Sequence, residues 1–286
     1  MKKNNLPSND RTSCKLSDVE LAQANHGRRG QMIARKPGAI VLVAAAYVLG
    51  GGGMMAWLAF LLTGPLVPLD LGLDRAGRLL LDTILCLFFF LQHSIMVRRG
   101  FRLRLTRIVH ADLHGALYSA ASGTCLLILT GLWQPVGPAL WSPPTAVRWA
   151  MMALFLSAAA GAWWGSRSLG DFDALGVRPA LGAFNDRKTG GAIRFTVRGP
   201  YRWVRHPLYL FSLIIIWSGP VFTVDRLLHN GLWTVWVILG ATLEEIDLVD
   251  CFGDAYRSYR KTVPMLLPKS LKPAAADFSE RPNHDP

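Results

Sequence analysis

Apolar runs alternate with polar, arginine-rich connections along this chain of 286 residues. The runs lie near 39 to 63, 79 to 97, 113 to 132, 146 to 165, 207 to 224 and 231 to 249. Each is close to the roughly 17 to 25 residues that a helix needs to cross a bilayer. The pattern predicts an all-α polytopic membrane bundle of about six transmembrane helices. Inside the first run, Gly50 to Gly53 expose no side chain, which suits close helix contact where lipid forbids an open break. Before the first run, residues 1–37 are polar and basic and read as a disordered cytoplasmic tail; residues 38–268 form the membrane domain, and 269–286 a flexible C-terminal tail.

Composition agrees with the pattern, at 51% hydrophobic and only 17% charged residues. The net charge of +12 does not argue for nucleic acid, because the basic residues sit between apolar runs rather than on one face. Membrane lipids with anionic headgroups explain the placement better. The arginines also give an orientation. Arg98, Arg99, Arg102, Arg104 and Arg107 follow the second run, while Arg167, Arg178, Arg187, Lys188, Arg194, Arg198, Arg202 and Arg205 separate the fourth from the fifth. Both connections should face the cytoplasm. The intervening ones at 64–77, 133–145 and after Thr223 carry few positive charges, so both termini are expected in the cytoplasm. Cys14, Cys86, Cys125 and Cys251 are scattered without a CxxC pair, which suggests no metal site and reads as packing.

Candidate chemistry gathers at the cytoplasmic ends. In RGPYRWVRHPLYL, residues 198–210, Pro207 fits the first helical position and leaves His206 at the cap. The open amides of such a first turn, with Arg202 or Arg205, suit a carboxylate. Tyr209 lies where its ring can cover a base, and Tyr201 and Trp203 equally suit an interfacial anchor belt. Glu244 and Glu245, in LEEIDLVD, oppose the dipole of their own helix end and are costly near a membrane. One carboxylate can hold a ligand ammonium while the other orients an arginine; an ion-pair network is the plainer alternative. In FGDAYRSYRKTVPMLLP, residues 252–268, Phe252, Tyr256, Tyr259 and Val263 share a helical face opposite Arg257, Arg260 and Lys261. This predicts a C-terminal amphipathic interfacial helix, either lying on headgroups or closing a pocket with Tyr256 or Arg257. His93, in LQHSIM, is a polar residue at membrane depth, suited to accept a proton or to fix a helix contact. Asp171 and Asp173 lie in a connection on the same side.

RHPLY, the Glu244–Glu245 pair and FGDAYRSYRKTVPMLLP, in that order, resemble the superfamily of isoprenylcysteine carboxyl methyltransferases and phospholipid N-methyltransferases. With QHSIM, TRIV, DFDALGVR and VPMLLP added, residues 85–268 are similar to the bacterial methanethiol S-methyltransferase and nitrite-reductase-accessory-like group. The resemblance implies an S-adenosylmethionine-dependent membrane methyltransferase, in a bacterial inner membrane, with its donor site mainly in 198–268. The donor-binding candidates are Tyr201, Arg202, Arg205, His206, Tyr209, Glu244, Glu245, Tyr256 and Arg257; His93 and Arg205 are the catalytic candidates. The acceptor would be a small thiol such as methanethiol, with a prenylcysteine carboxylate or a phospholipid amine as alternatives. A membrane accessory without enzymatic activity is the remaining class. Ile246 and Phe211 depart from the group's pattern, where arginine and glycine are common, and both bear on the acceptor side.

Overall fold

The computed structural model describes residues 36–65, 69–170, 173–184, 195–220, 222–270 and 272–274. Of the predicted tails, 1–37 and 269–286, residues 1–35, 271 and 275–286 lie outside the described residues, as does Asp171; Lys36 and Pro37 already belong to the first helix, and Ala274 is bonded to Arg202. Within them the chain is helical, with no strand. Helix α1 (Lys36–Ala45) continues through a π-helical turn (Ala46–Gly51) into α2 (Gly52–Thr63). Next come α3 (Arg75–Val97), α4 (Arg99–Leu105), α5 (His114–Leu132), α6 (Thr145–Ser168) and α7 (Arg178–Phe184). After a 3-10 turn at Gly199–Arg202, α8 (Pro207–Trp217) leads to α9 (Val224–Thr262).

Four helical stretches are long and apolar enough to cross a membrane: Pro37–Thr63, Arg75–Val97, Ala111–Leu132 and Thr145–Ser168. Their surfaces fit that environment. Leu80, Ile84, Leu87, Phe88 and Leu91 line the outside of α3, and Leu154, Leu156 and Trp163 that of α6, all exposed. The fifth expected run behaves differently. Its helix stops at Trp217, after 11 residues, or about 17 Å at the usual rise. Pro220 cannot continue a helix and biases the residue before it toward extended backbone, and the next helix begins at Val224. There the Leu140 amide donates to the Phe222 carbonyl at 2.7 Å. Helix α9 is 39 residues long and bends at Gly253, whose φ of 55° is left-handed.

α5 is the hub, packed against the π-helical turn, α2 and α3, while α8 lies on α6 and α9 on α3. Small residues set the closest crossing. A Cβ on Gly123 would sit 2.0 Å from the Leu49 carbonyl oxygen, and one on Gly53 would sit 2.2 Å from that of Gly123. The glycine run therefore does what its composition implied. Around this crossing, Trp57, Phe60, Phe89, Phe90, Leu129, Trp133 and Trp233 form the main core. Cys86 and Cys125 are free and buried within it, whereas Cys251 is disulfide-bonded and departs from the packing role expected of it.

At the end of the bundle where α2 and α5 stop and α9 starts, the core turns polar. Asp225, fully buried, accepts from the Trp133 indole at 2.8 Å and the Val136 amide at 3.0 Å. Asp82 accepts from the Gln134 amide at 2.9 Å, and Arg226 donates to the Leu61 carbonyl while lying 4.2 Å over the Phe60 ring. These bonds tie α2, α3, the end of α5 and the start of α9 together. Buried groups so paired hold helix ends in fixed register. Gly123→Ala is expected to cost about 1–3 kcal/mol by overpacking the crossing. Gly131→Ala, where a Cβ would meet nothing within 4 Å, is expected to be neutral or stabilising; thermal denaturation of the two variants in detergent distinguishes them.

Candidate active site

The opposite end of the bundle gathers most of the residues singled out from the sequence. Pro207 is the first residue of α8 and His206 its N-cap, as expected. The His206 side chain does not cap the helix; it is buried and turned toward α9. Its Nε2 lies 3.3 Å from Glu245 Oε1 and its Nδ1 3.8 Å from Glu244 Oε2. Adjacent helix positions point about 100° apart, yet the two carboxylates reach one imidazole from different sides because the ring stands between them.

The two acids have different surroundings. Glu245 is almost fully buried, with its Oε1 bonded by Arg205 Nε at 2.5 Å and its Oε2 paired with Arg260 Nε at 3.3 Å. Arg205 is held further by the carbonyls of Arg260 and Val263. Glu244 keeps 46% of its side chain exposed, and among the described residues its partners are the long approach to His206 and the neighbouring Tyr209 hydroxyl. The orienting role expected of one acid thus falls to Glu245, and Glu244 is the acid with free capacity. Burial pushes the His206 pKa below its ordinary value, against the pull of both carboxylates. The ring is therefore neutral around pH 7.

The segment after α9 straps this corner. The amide of Arg205 donates to the Pro264 carbonyl at 2.9 Å, that of His206 to Met265 at 3.1 Å, and the Tyr259 hydroxyl to the Tyr201 carbonyl at 2.6 Å. Tyr256, Tyr259 and Val263 are buried with Phe195, Val197 and Phe252. The apolar face predicted for 252–263 exists, but the chain itself covers it. Tyr256 is 2% exposed, and its hydroxyl has no hydrogen-bond partner among the described residues. An unpaired buried hydroxyl is costly and marks a place where a ligand group would fit.

Not every candidate joins this corner. Arg202 donates through Nε and Nη2 to the Ala274 carbonyl at 3.2 and 3.1 Å. Arg257 is exposed and pairs with Asp254 at 2.9 Å. Asp173 accepts the Arg178 amide and so caps α7 rather than facing the acids. His93, on α3, has a partner that the sequence did not disclose. The Tyr118 hydroxyl, on α5, lies 2.9 Å from its Nδ1 and 2.6 Å from its Nε2. Arg260, read only as part of a charged face, is the second cation on Glu245.

The methanethiol S-methyltransferase of Pseudomonas deceptionensis is 34% identical over 198 residues, covering 66% of this chain and 72% of that protein. A methanethiol S-methyltransferase of a Pseudomonas sp. is 35% identical over 225 residues, covering 74% and 84%. Nurim of Danio rerio is 29% identical over 190 residues, covering 58% and 63%. No family model matches the chain, and no solved structure does.

The geometry separates the two acids in stability. Glu245→Gln leaves two arginines without a full counter-charge and is expected to cost about 3–5 kcal/mol. Glu244→Gln should change stability by about 1 kcal/mol or less, both read by thermal denaturation. The sign for His206 follows from its lowered pKa: the folded ring binds its proton less readily than the unfolded one. Its stabilising contribution is complete above the ordinary value of 6.5 and is lost progressively as pH falls below it. His206→Gln should flatten that limb of the stability–pH curve.

Proposed function

Because this chain belongs to the methanethiol S-methyltransferase family, we propose that it transfers a methyl group from S-adenosylmethionine to methanethiol at the His206–Glu244 corner. The observation that carries the assignment of the site is the contrast between the acids. Glu245 is spent on Arg205 and Arg260, while Glu244 stands half-exposed beside His206 and Tyr209.

The residues present fit a donor with an ammonium, a carboxylate and an aromatic base. Glu244 holds the ammonium. The first-turn amides of Leu208 and Tyr209, which have no partner inside a helix, receive the carboxylate with the positive helix end behind them. The unpaired Tyr256 hydroxyl offers one more donor, and the rings of Tyr201 and Tyr209 cover the base. Arg205 acts through Glu245 as a positioning residue. When bound, the sulfonium supplies a methyl group already activated for displacement, so the protein contributes alignment and a dry pocket. We read α8, together with the chain from Ser218 to Thr223, as a fifth crossing and α9 as a sixth, because α8 is too short to cross alone; the arginine-rich connections support placing both termini, the strap after α9 and the site on the cytoplasmic side.

Calorimetry on the detergent-purified protein tests the donor site. Glu244→Ala should weaken donor binding at least about tenfold, or about 1.4 kcal/mol. Membranes containing the protein, methanethiol and methyl-labelled donor should release labelled dimethyl sulfide. Label recovered in the lipid phase instead would move the acceptor to a lipid, and a wild-type protein that binds no donor would overturn the reading.

A further inference from the structure

The structure assigns a second working group to this pocket: we propose that Tyr118 and His93 form its acceptor end, where the Tyr118 hydroxyl takes the proton of a bound alkyl thiol and passes its own to the His93 ring. The inference rests on the methyl-transfer reading above and concerns how the acceptor is activated.

Position is the first argument. Trp236, Gly240 and Glu244 recur every fourth residue of α9, before its bend, and so share one face over about 12 Å. Each marks a level of that face. Glu244 faces His206 and Tyr209. Gly240 leaves open space, since a Cβ there would meet only the Tyr209 hydroxyl, at 4.0 Å. Trp236 meets the His93 ring edge-on, with centroids 5.1 Å apart, and its indole donates to Ser94 at 3.2 Å. An aminoacyl chain covers about 5 Å when extended, so the column has length for a donor anchored at Glu244 and a one-carbon thiol at Trp236.

The surroundings of His93 are the second argument. Phe89, Tyr118 and Trp236 pack around it with ring centroids 5.3, 5.0 and 5.1 Å away. Among the described residues no charged group is placed to hold it protonated. Aromatic edges favour a neutral sulfur, and a thiolate would be costly to bring from water into such walls. The thiol therefore arrives protonated, and the proton must leave in place. The S–H bond breaks, its proton goes to Tyr118 Oη, and the Tyr118 proton goes to a ring nitrogen of His93 once the hydroxyl, which lies over the ring face within 2.9 Å of Nδ1 and 2.6 Å of Nε2, turns onto one lone pair. The electron pair left on sulfur forms the new S–C bond, while the pair of the old C–S bond returns to the donor sulfur. One positive charge is present before the transfer, on the sulfonium, and one after it, on the imidazolium. The pocket never carries a net change of charge.

Tyr118→Phe and His93→Gln test the relay. Both variants should bind donor within about twofold of wild type by calorimetry, and methanethiol turnover should fall about 100-fold or more. Their residual rate should climb about tenfold per pH unit as the thiol ionises in solution. Hydrogen sulfide, far more acidic, should be methylated with a loss below about tenfold. Full turnover in both variants, equal loss with both thiols at every pH, or loss of donor binding would each overturn the relay and leave the pair a helix contact. A wild-type protein that binds donor but methylates no thiol would remove the acceptor reading and the relay with it. Failure of the relay alone leaves wild-type turnover intact.

Discussion

A carboxylate buried partway along the last long helix sets the terms for everything around it. Glu245 could not remain ionised there without compensation, since charge removed from water is costly unless paired and hydrogen-bonded. Arg205 and Arg260 supply the pairing from opposite directions in sequence, one from the connection before α8 and one from beyond the Gly253 bend. Satisfying one acid thus joins three segments. His206 is drawn in beside it, and the strap is fixed by the same arginine through the Val263 carbonyl. Glu244, one residue earlier, is left available because its neighbour carries the structural load.

The two ends of the bundle use polar groups differently. At the far end, Asp225, Trp133, Arg226 and His229 are buried and bonded within the protein. They lock helix ends. At the near end, capacity is left over, in Glu244, in the Tyr256 hydroxyl and in the His93–Tyr118 pair. Both ends keep buried polar atoms without a hydrogen-bond partner among the described residues, Asp82 Oδ2 and Arg226 Nη1 at the far end and the Tyr256 hydroxyl at the near one; what sets the near end apart is the half-exposed acid Glu244.

Much of this was legible in sequence because the signals were local. Hydropathy located four spanning helices; Pro207 marked the start of α8; the glycine run marked the tight crossing with α5. The amphipathic pattern of 252–263 was read correctly as a pattern, although its apolar face is covered by Phe195 and Val197 rather than left for lipid. The end of α8 was missed because the apolar run continues past Trp217, even though Pro220 stood in it as a warning. Pairings between distant segments were not legible at all. No periodicity links His93 to Tyr118, Asp225 to Trp133, or Arg260 to Glu245, and nothing in the sequence separates Arg260, which pairs with Glu245, from Arg257, which pairs with Asp254.

The strap carries a consequence for how the protein is made. Pro264 and Met265 bind the backbone of Arg205 and His206, and Arg260 completes the shell of Glu245. A chain still held in the ribosomal tunnel lacks these partners, so its near end stays open while the earlier helices are being inserted. The corner therefore closes only after α9 and the residues through Met265 have left the tunnel, later than any helix before them.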